Sequence, residues 1–229
     1  MPTINSFLEV LHALPGAGEV DVYINEELLE ENLAYKGMSR FLPIGPGNNR
    51  IQVFAAGSKT NPILDTEVEL PPSSVITLAI IGMVSEAEVL PILQPVNDIN
   101  PREVEIRFVH LSPDAPTLNL VLNDNSVFSS VGYKQVTDYS VIAPGEHNVQ
   151  LRPSDDLDII LAENNLVFSA GKAYTIYGVG LNDGTPGLEI IYFEDGPPVL
   201  ENKAVPKKEL PPKVSSRNKS SVKIVITYV

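Results

Sequence analysis

Slid by 98 positions, this chain of 229 residues matches itself, and that self-match limits what it can fold into. His12 falls on His110, so HALPGAGEVDVYIN lies over HLSPDAPTLNLVLN. The offset then holds without a gap. Tyr35-Lys36 meets Tyr133-Lys134, Pro46-Gly47 meets Pro144-Gly145, Gln52 meets Gln150, Thr77 meets Thr175 and Gly82 meets Gly180. Matched Pro and Gly mark matched turns, because Pro locks φ and Gly reaches conformations that other residues avoid. The chain therefore reads as two copies of one domain. Each copy is longer than a solenoid repeat and should own a core.

The expected organisation follows from that offset. Repeat 1 occupies 1–96 and is the more divergent copy. A linker occupies 97–103, within the Pro- and Asn-rich PVNDINPRE, and repeat 2 occupies 104–196. Inside repeat 2 the elements are short. VEIRFVHL (104–111) alternates, and LNLVLN (118–123) points Leu118, Leu120 and Leu122 one way. NDNS (123–126) and APGEH (143–147) read as turns, and YKQVTDYSVI (133–142) and HNVQLRP (147–153) as strands. LVFSAGKAYTIYGVG (166–180) holds two strands, and LEIIYFED (188–195) closes the copy. No segment keeps a 3.6-residue period over ten residues. The predicted fold is all-β: two tandem immunoglobulin-like β-sandwich domains plus an extended C-terminal tail ending in a β-strand. A small closed barrel is the alternative.

Composition narrows function more than it defines it. Hydrophobic residues make up 43% of the chain, enough for two cores, and 20 Pro with 15 Gly suit a turn-rich protein. The net charge of −13 repels phosphate backbones, so no nucleic-acid partner is expected. Cys is absent, which excludes disulfides, thiolate nucleophiles and Cys-ligated metal. The opening MPTINSFLEVLHALPG lacks a basic region and an unbroken apolar stretch, so no signal peptide is expected. LAIIGMV (78–84) is the most apolar run and is strand-sized, so no membrane span is expected either.

Repeat 2 resembles the bacterial domain of unknown function DUF4397 over nearly its whole length. The resemblance rests on the strand leading into His-x-Ser-Pro-Asp-Ala-Pro (110–116), on VGYKQVTDYSVIAPGEHNVQLRP (131–153) and on AGKAYTIYGVG (170–180). Repeat 1 keeps Val10-Leu11-His12, Pro15, Asn25, Tyr35 and Pro46-Gly47 but has Leu14 and Gly16 in place of the Ser and Asp. The resemblance implies tandem β-sandwiches in proteins exported to the bacterial surface, and it implies no activity.

The residues most suggestive of chemistry are His110, Ser112 and Asp114. Alternate residues of an extended chain cannot place a base between a nucleophile and its orienter, and repeat 1 keeps the His without the Ser or Asp. His110, Pro113, Asp114 and Pro116 are therefore read as a structural turn, with no catalytic, cofactor-binding or metal residue assigned and no cofactor expected. Acidic turns at Asp155, Asp156 and Asp158, and at Asn123, Asp124 and Asn125, are the weak candidates for Ca²⁺. Tyr133, Tyr139, Tyr174 and Tyr177 are the weak candidates for a glycan-binding surface.

Residues 197–220 form a Pro- and Lys-rich basic linker, and 221–229, SVKIVITYV, read as a lone strand. The segment from 197 onward holds seven Lys/Arg against two Asp/Glu, opposite in sign to the body. Val222, Ile224, Ile226 and Tyr228 form the expected assembly strand, which would add to a sheet of its own or a neighbouring molecule. Sequence reasoning thus favours a non-enzymatic structural or adhesive protein of the bacterial cell surface or spore exterior. It would self-associate, as a homo-oligomer or filament, by donating this strand. The alternative is a monomeric glycan- or calcium-binding module.

Overall fold

The computed structural model describes residues 6–94, 99–156 and 158–196. The basic linker and the expected assembly strand with Val222, Ile224, Ile226 and Tyr228 lie outside the described residues. Among those residues there are sixteen strands and one short 3-10 turn, Val84–Glu86. The first half holds β1 (Ser6–His12), β2 (Val20–Ile24), β3 (Glu27–Leu33), β4 (Leu42–Ile44), β5 (Gly47–Ala55), β6 (Leu64–Leu70), β7 (Val75–Ile81) and β8 (Glu88–Gln94). The second holds β9 (Val104–His110), β10 (Leu118–Leu122), β11 (Asn125–Val131), β12 (Ser140–Ile142), β13 (Gly145–Pro153), β14 (Leu161–Phe168), β15 (Lys172–Val179) and β16 (Glu189–Glu194).

The strands form four sheets of four. In the first half the orders are β4-β1-β7-β8 and β3-β2-β5-β6; in the second they are β12-β9-β15-β16 and β11-β10-β13-β14. These are open sheets stacked as two sandwiches, and not the closed barrel held as the alternative. Each inner sheet carries one parallel pair, β1 with β7 and β9 with β15; the neighbouring pairs are antiparallel.

Side-chain alternation sets the layers. Leu8 and Val10 of β1, with Ile76, Leu78 and Ile80 of β7, face Val20, Val22, Ile51 and Val53 of the outer sheet. In the second half Ile106, Phe108 and Ile176 face Leu118, Leu120, Val149 and Leu151. The other phase of the inner sheets builds a third core. Leu11, Ala79, Ile81 and Ile92 pack there with Val109, Tyr177 and Val179. The two inner sheets therefore face each other, giving four layers. Strands buried on both faces need apolar residues in both phases, and so LAIIGMV does not alternate. Each large aliphatic side chain fully removed from water contributes about 1.5–3 kcal/mol.

Turn chemistry repeats along with the cores. Asn25-Glu26 and Asn123-Asp124 join their strands as two-residue turns with φ of 49° and 70°, and of 46° and 65°. Positive φ at both central residues is the twist-matched hairpin geometry, and Asn enters it at low cost. One expectation fails. Residues 133–142 read as a single strand, but only Ser140–Ile142 is one. Lys134 turns left-handed at φ 66°, and its N–H goes to the His110 carbonyl at 2.8 Å. That leaves a single bridge between Val109 and Val136. Lys36 does the same at φ 67°, donating to the His12 carbonyl at 2.7 Å.

Candidate functional site

The His-x-Ser-Pro-Asp-Ala-Pro stretch lies in the connection from β9 to β10. His110 is fully buried. Its Nδ1 accepts the Ser112 backbone N–H at 3.3 Å, so the proton must sit on Nε2, which is 2.9 Å from the Pro116 carbonyl. Both ring nitrogens are thus spent on backbone. Burial lowers the imidazole's proton affinity, against a smaller opposing effect of the Pro116 carbonyl. His12 repeats the geometry, with the Leu14 N–H on Nδ1 at 3.3 Å and Nε2 at 2.7 Å from the Gly18 carbonyl. Ser112 directs its hydroxyl to Asp114 at 3.3 Å, away from the imidazole. Asp114 also accepts the backbone N–H groups of Asn182 at 2.8 Å and Asp183 at 3.1 Å. Burial pulls its carboxyl upward, but these donors together hold it below its ordinary value. Pro113 and Pro116 lie in the same connection. The set closes a turn and contains no base poised on a nucleophile.

The four tyrosines of the expected glycan surface do not share one. Tyr174 is buried in the second sandwich core, Tyr177 is fully buried between the inner sheets, and Tyr133 packs against that same layer. Tyr139 donates its hydroxyl to Asp195 at 2.5 Å. Among the described residues no three acidic or His side chains come together to hold a metal ion. Asp156 accepts the Asp158 backbone N–H at 3.1 Å, and Asp124 lies 3.8 Å from the Arg152 guanidinium.

A different surface combines aromatic and polar groups. On the outer sheet of the first half, Tyr23 of β2 is opposite both Leu28 of β3 and Gln52 of β5, and Gln52 is opposite Asp65 of β6. Val20, Val22 and Ile24 take the core phase of β2, so Tyr23 and Asp21 must take the outward one. Ile51 and Val53 send Arg50, Gln52 and Phe54 outward in the same way. Tyr23 and Phe54 meet edge to face, with ring centroids 5.6 Å apart. Lys59 places its ammonium 4.8 Å above the Tyr23 ring. Beside the rings, Arg50 forks onto Asp65 with bonds of 2.8 and 2.6 Å, and the Gln52 amide reaches the same carboxylate at 3.1 Å. Hydrogen bonding and charge from that fork raise Arg50 and lower Asp65. Tyr23, Glu26, Arg50, Gln52, Phe54 and Lys59 line an open cavity of about 250 Å³.

Asp21 holds this face in shape. It is buried, and it accepts the Asn32 N–H on one oxygen and the Gly57 N–H on the other, both at 2.8 Å. The second bond anchors the start of the loop that carries Lys59. Sequence reasoning passed over Tyr23 and Phe54. The signal was their phase: each is aromatic yet one step out of register with its strand's core residues.

The pattern of the domain of unknown function DUF4397 matches residues 6–121 and, again, 105–205. The chain belongs to that family. The two matches fall on the two halves and overlap across β9 and β10. Among curated proteins none matches the chain. Among solved structures, a family 26 carbohydrate-binding module of Eubacterium rectale Amy13K, in complex with maltoheptaose, is 8% identical. That match covers 84% of this chain and 98% of the module, with a TM-score of 0.26. A streptococcal virulence factor described as binding α-glucan is 13% identical, over 77% of this chain and 92% of its own, with a TM-score of 0.24. The Bacillus anthracis TIE protein is 10% identical, over 84% of this chain and 44% of its own, with a TM-score of 0.23. Superposition at this level carries no argument about ligand. No helix among the described residues is long and apolar enough to cross a membrane.

Proposed function

We propose that this chain is a non-catalytic carbohydrate-binding protein of the bacterial surface, with residues 1–96 and 104–196 as its two units. The binding face is the outer sheet of the first half. One observation carries the reading: the Tyr23–Phe54 pair, each residue only 7% exposed in the free protein, stands beside a row of planar hydrogen-bonding groups, Gln52, Arg50 and Asp65, on the outward side of the sheet. A pyranose presents an apolar C–H face and an equatorial rim of hydroxyls. Rings receive the first, and fixed amide, guanidinium and carboxylate groups receive the second. Lys59 covers the ring in the free protein and is long and flexible enough to swing aside. The self-assembling reading that the sequence favoured depends on residues 221–229, outside the described residues, and no observation among the described residues supports it.

The test is a glycan array on the full-length chain, followed by calorimetry with the oligosaccharides retained. Tyr23→Ala should weaken binding by roughly tenfold or more, the effect expected of an aromatic anchor. Val121→Ala, at the matching position of the second half, should leave it unchanged. An array without a saturable glycan, or equal losses in the two variants, would overturn the proposal.

A further inference from the structure

The layer between the two inner sheets is largely apolar, but at one matched position in its middle the two halves carry opposite charges. Position 9 is Glu and its counterpart, 107, is Arg. Both are buried, at 6% and 3% exposure. Glu9 on β1 accepts the Thr77 hydroxyl from β7 and the Gln94 amide from β8, each at 2.8 Å. Arg107 on β9 donates to the Thr175 hydroxyl of β15 at 2.8 Å and to the Leu93 carbonyl of β8 at 2.7 Å. Asp195, after β16, receives the hydroxyls of Thr175 and Tyr139. It lies 3.8 Å from Nη2 of Arg107, which makes no hydrogen bond. Gln94 joins the halves: its amide donates to Glu9, and its Oε1 accepts the Gly196 N–H at 2.6 Å.

The charge count is uneven. Two carboxyls and one guanidinium share the layer, and the remaining titratable groups packed against it are the hydroxyls of Tyr133, Tyr139 and Tyr177. At the rim, Glu194 is paired with Lys172. If both carboxyls ionise, one negative charge is left uncompensated among Leu11, Ala79, Ile81 and Val109, which is strongly unfavourable in a medium of low polarity.

We propose that Glu9, Arg107 and Asp195 form a protonation latch between the inner sheets, closed while the two carboxyls hold one proton between them and loosened when both ionise. The proton resides on Glu9, because Asp195 has the guanidinium and Glu9 has only neutral donors. Burial pushes Glu9 up to about 7, with Asp195 adding to the rise and its two hydrogen bonds opposing it. Burial also raises Asp195, against Arg107. It raises the Tyr139 and Tyr177 hydroxyls too, which stay neutral across this range. An acid raised in the closed state favours closure below its titration and disfavours it above. The latch therefore loosens as pH climbs through neutrality. Protons reach it through a cleft of about 460 Å³ lined in part by Gln94, Arg107 and Tyr139.

The absence of native Cys allows a direct test. Ala79→Cys puts a single thiol in the middle of the layer, at a position with 0% exposure. Its reactivity toward a disulfide reagent, corrected for thiolate fraction with an unfolded peptide, is followed from pH 6 to 8.5. The expected result is a rise of roughly tenfold, set by how far pH passes the Glu9 titration, and a flat response when Glu9→Gln is added. A flat response in both, or equal rises in both, overturns the latch. Should Ala79→Cys fail to fold, amide exchange of the wild type and of Glu9→Gln replaces it. Protection should then fall above pH 7 in β1, β7, β9 and β15 of the wild type alone, with β5 and β13 unchanged. Equal behaviour of the two proteins would overturn the proposal.

Discussion

The two halves share a backbone framework and part company in the side chains it carries. His12 and His110 make the same pair of backbone contacts, Lys36 and Lys134 adopt the same left-handed turn, and Thr77 and Thr175 sit at the same register of a parallel pair. The outer sheets differ. Where the first half has Tyr23, Gln52 and Asp65 in one row, the second has Val121, Gln150 and Ala162. Phe54 is matched by Arg152, which turns onto Gln150. Asp21 is matched by Asn119, whose oxygen still accepts the Ser130 N–H at 2.8 Å. A side chain locked between two layers changes only with its neighbours: Val10 and Ile80 of the first half are matched by Phe108 and Gly178, where the Phe108 ring leaves no room for a larger residue. Inner and outer strands have therefore both diverged, and among the described residues the paired rings of an outer face belong to the first half alone.

In the middle layer, positions 9 and 107 give the sharpest way to break the comparison. Both are buried at matched sites, yet their removal should have opposite consequences. Arg107→Ala strips the guanidinium from buried Asp195 and should cost about 3–5 kcal/mol, the range for breaking a buried pair by deleting one partner. Glu9→Gln keeps the shape and the neutral hydrogen-bonding partners, and should leave stability at pH 7 unchanged or raised. Urea unfolding of both variants at pH 7 measures the difference. Equal destabilisation would mean that the two sites do equivalent work.

Stability against pH sharpens the same contrast. The Glu9 carboxyl ionises near 4.5 when unexceptional and near 7 when folded. Between those values the unfolded chain binds fewer protons than the folded one, so stability falls as pH rises through the window. The span amounts to about 3 kcal/mol at 1.36 kcal/mol per unit. Asp195, also raised, acts in the same direction. His12 and His110 act in the other, because burial lowers both. The unfolded chain takes up their protons first, so stability falls as pH drops below about 6.5. From pH 6.5 to 7.5 the wild type should therefore lose stability relative to Glu9→Gln, in which only the opposing histidine effect remains. Parallel curves would remove Glu9 from the account.

The sequence carried the scaffold because the scaffold is built from local rules. Matched Pro-Gly punctuation located the halves, and the Asn-led turns at 25 and 123 are hairpins for a reason readable in two residues. Alternation in LNLVLN gave the facing of β10 directly. The break in the strand expected over 133–142 was hidden, because a left-handed Lys such as Lys134 has no sequence signature. The inner-sheet contact was hidden for a different reason. An unbroken apolar run such as LAIIGMV says that both faces are covered but not by what. Glu9 and Arg107 read as ordinary outward-phase residues until the other half closes over them. Tyr23 and Phe54 were legible as aromatics in the wrong phase, whereas the fork of Arg50 on Asp65 depends on pairing β5 with β6, which no single strand reveals.

The smallest expected effect concerns the rim, where the halves are most alike. Lys36 meets Glu189 at 2.5 Å, and Lys134 meets Glu88 at 2.6 Å, so each half lends its left-handed Lys to a carboxylate of the other. The two bridges are related by the same pseudo-symmetry that swaps the inner sheets. All four side chains are about 36–42% exposed, so water and salt screen both pairs. Lys36→Met and Lys134→Met should each cost about 0.2–1 kcal/mol, with nearly equal values and near-additive effects in the double variant. The loss should shrink at 1 M salt, where the screening length is about 3 Å. A loss several times larger, or one indifferent to salt, would place these bridges with Arg107 among the groups that hold the halves together. The small, screened loss expected instead leaves that role to the apolar layer and the charges buried within it.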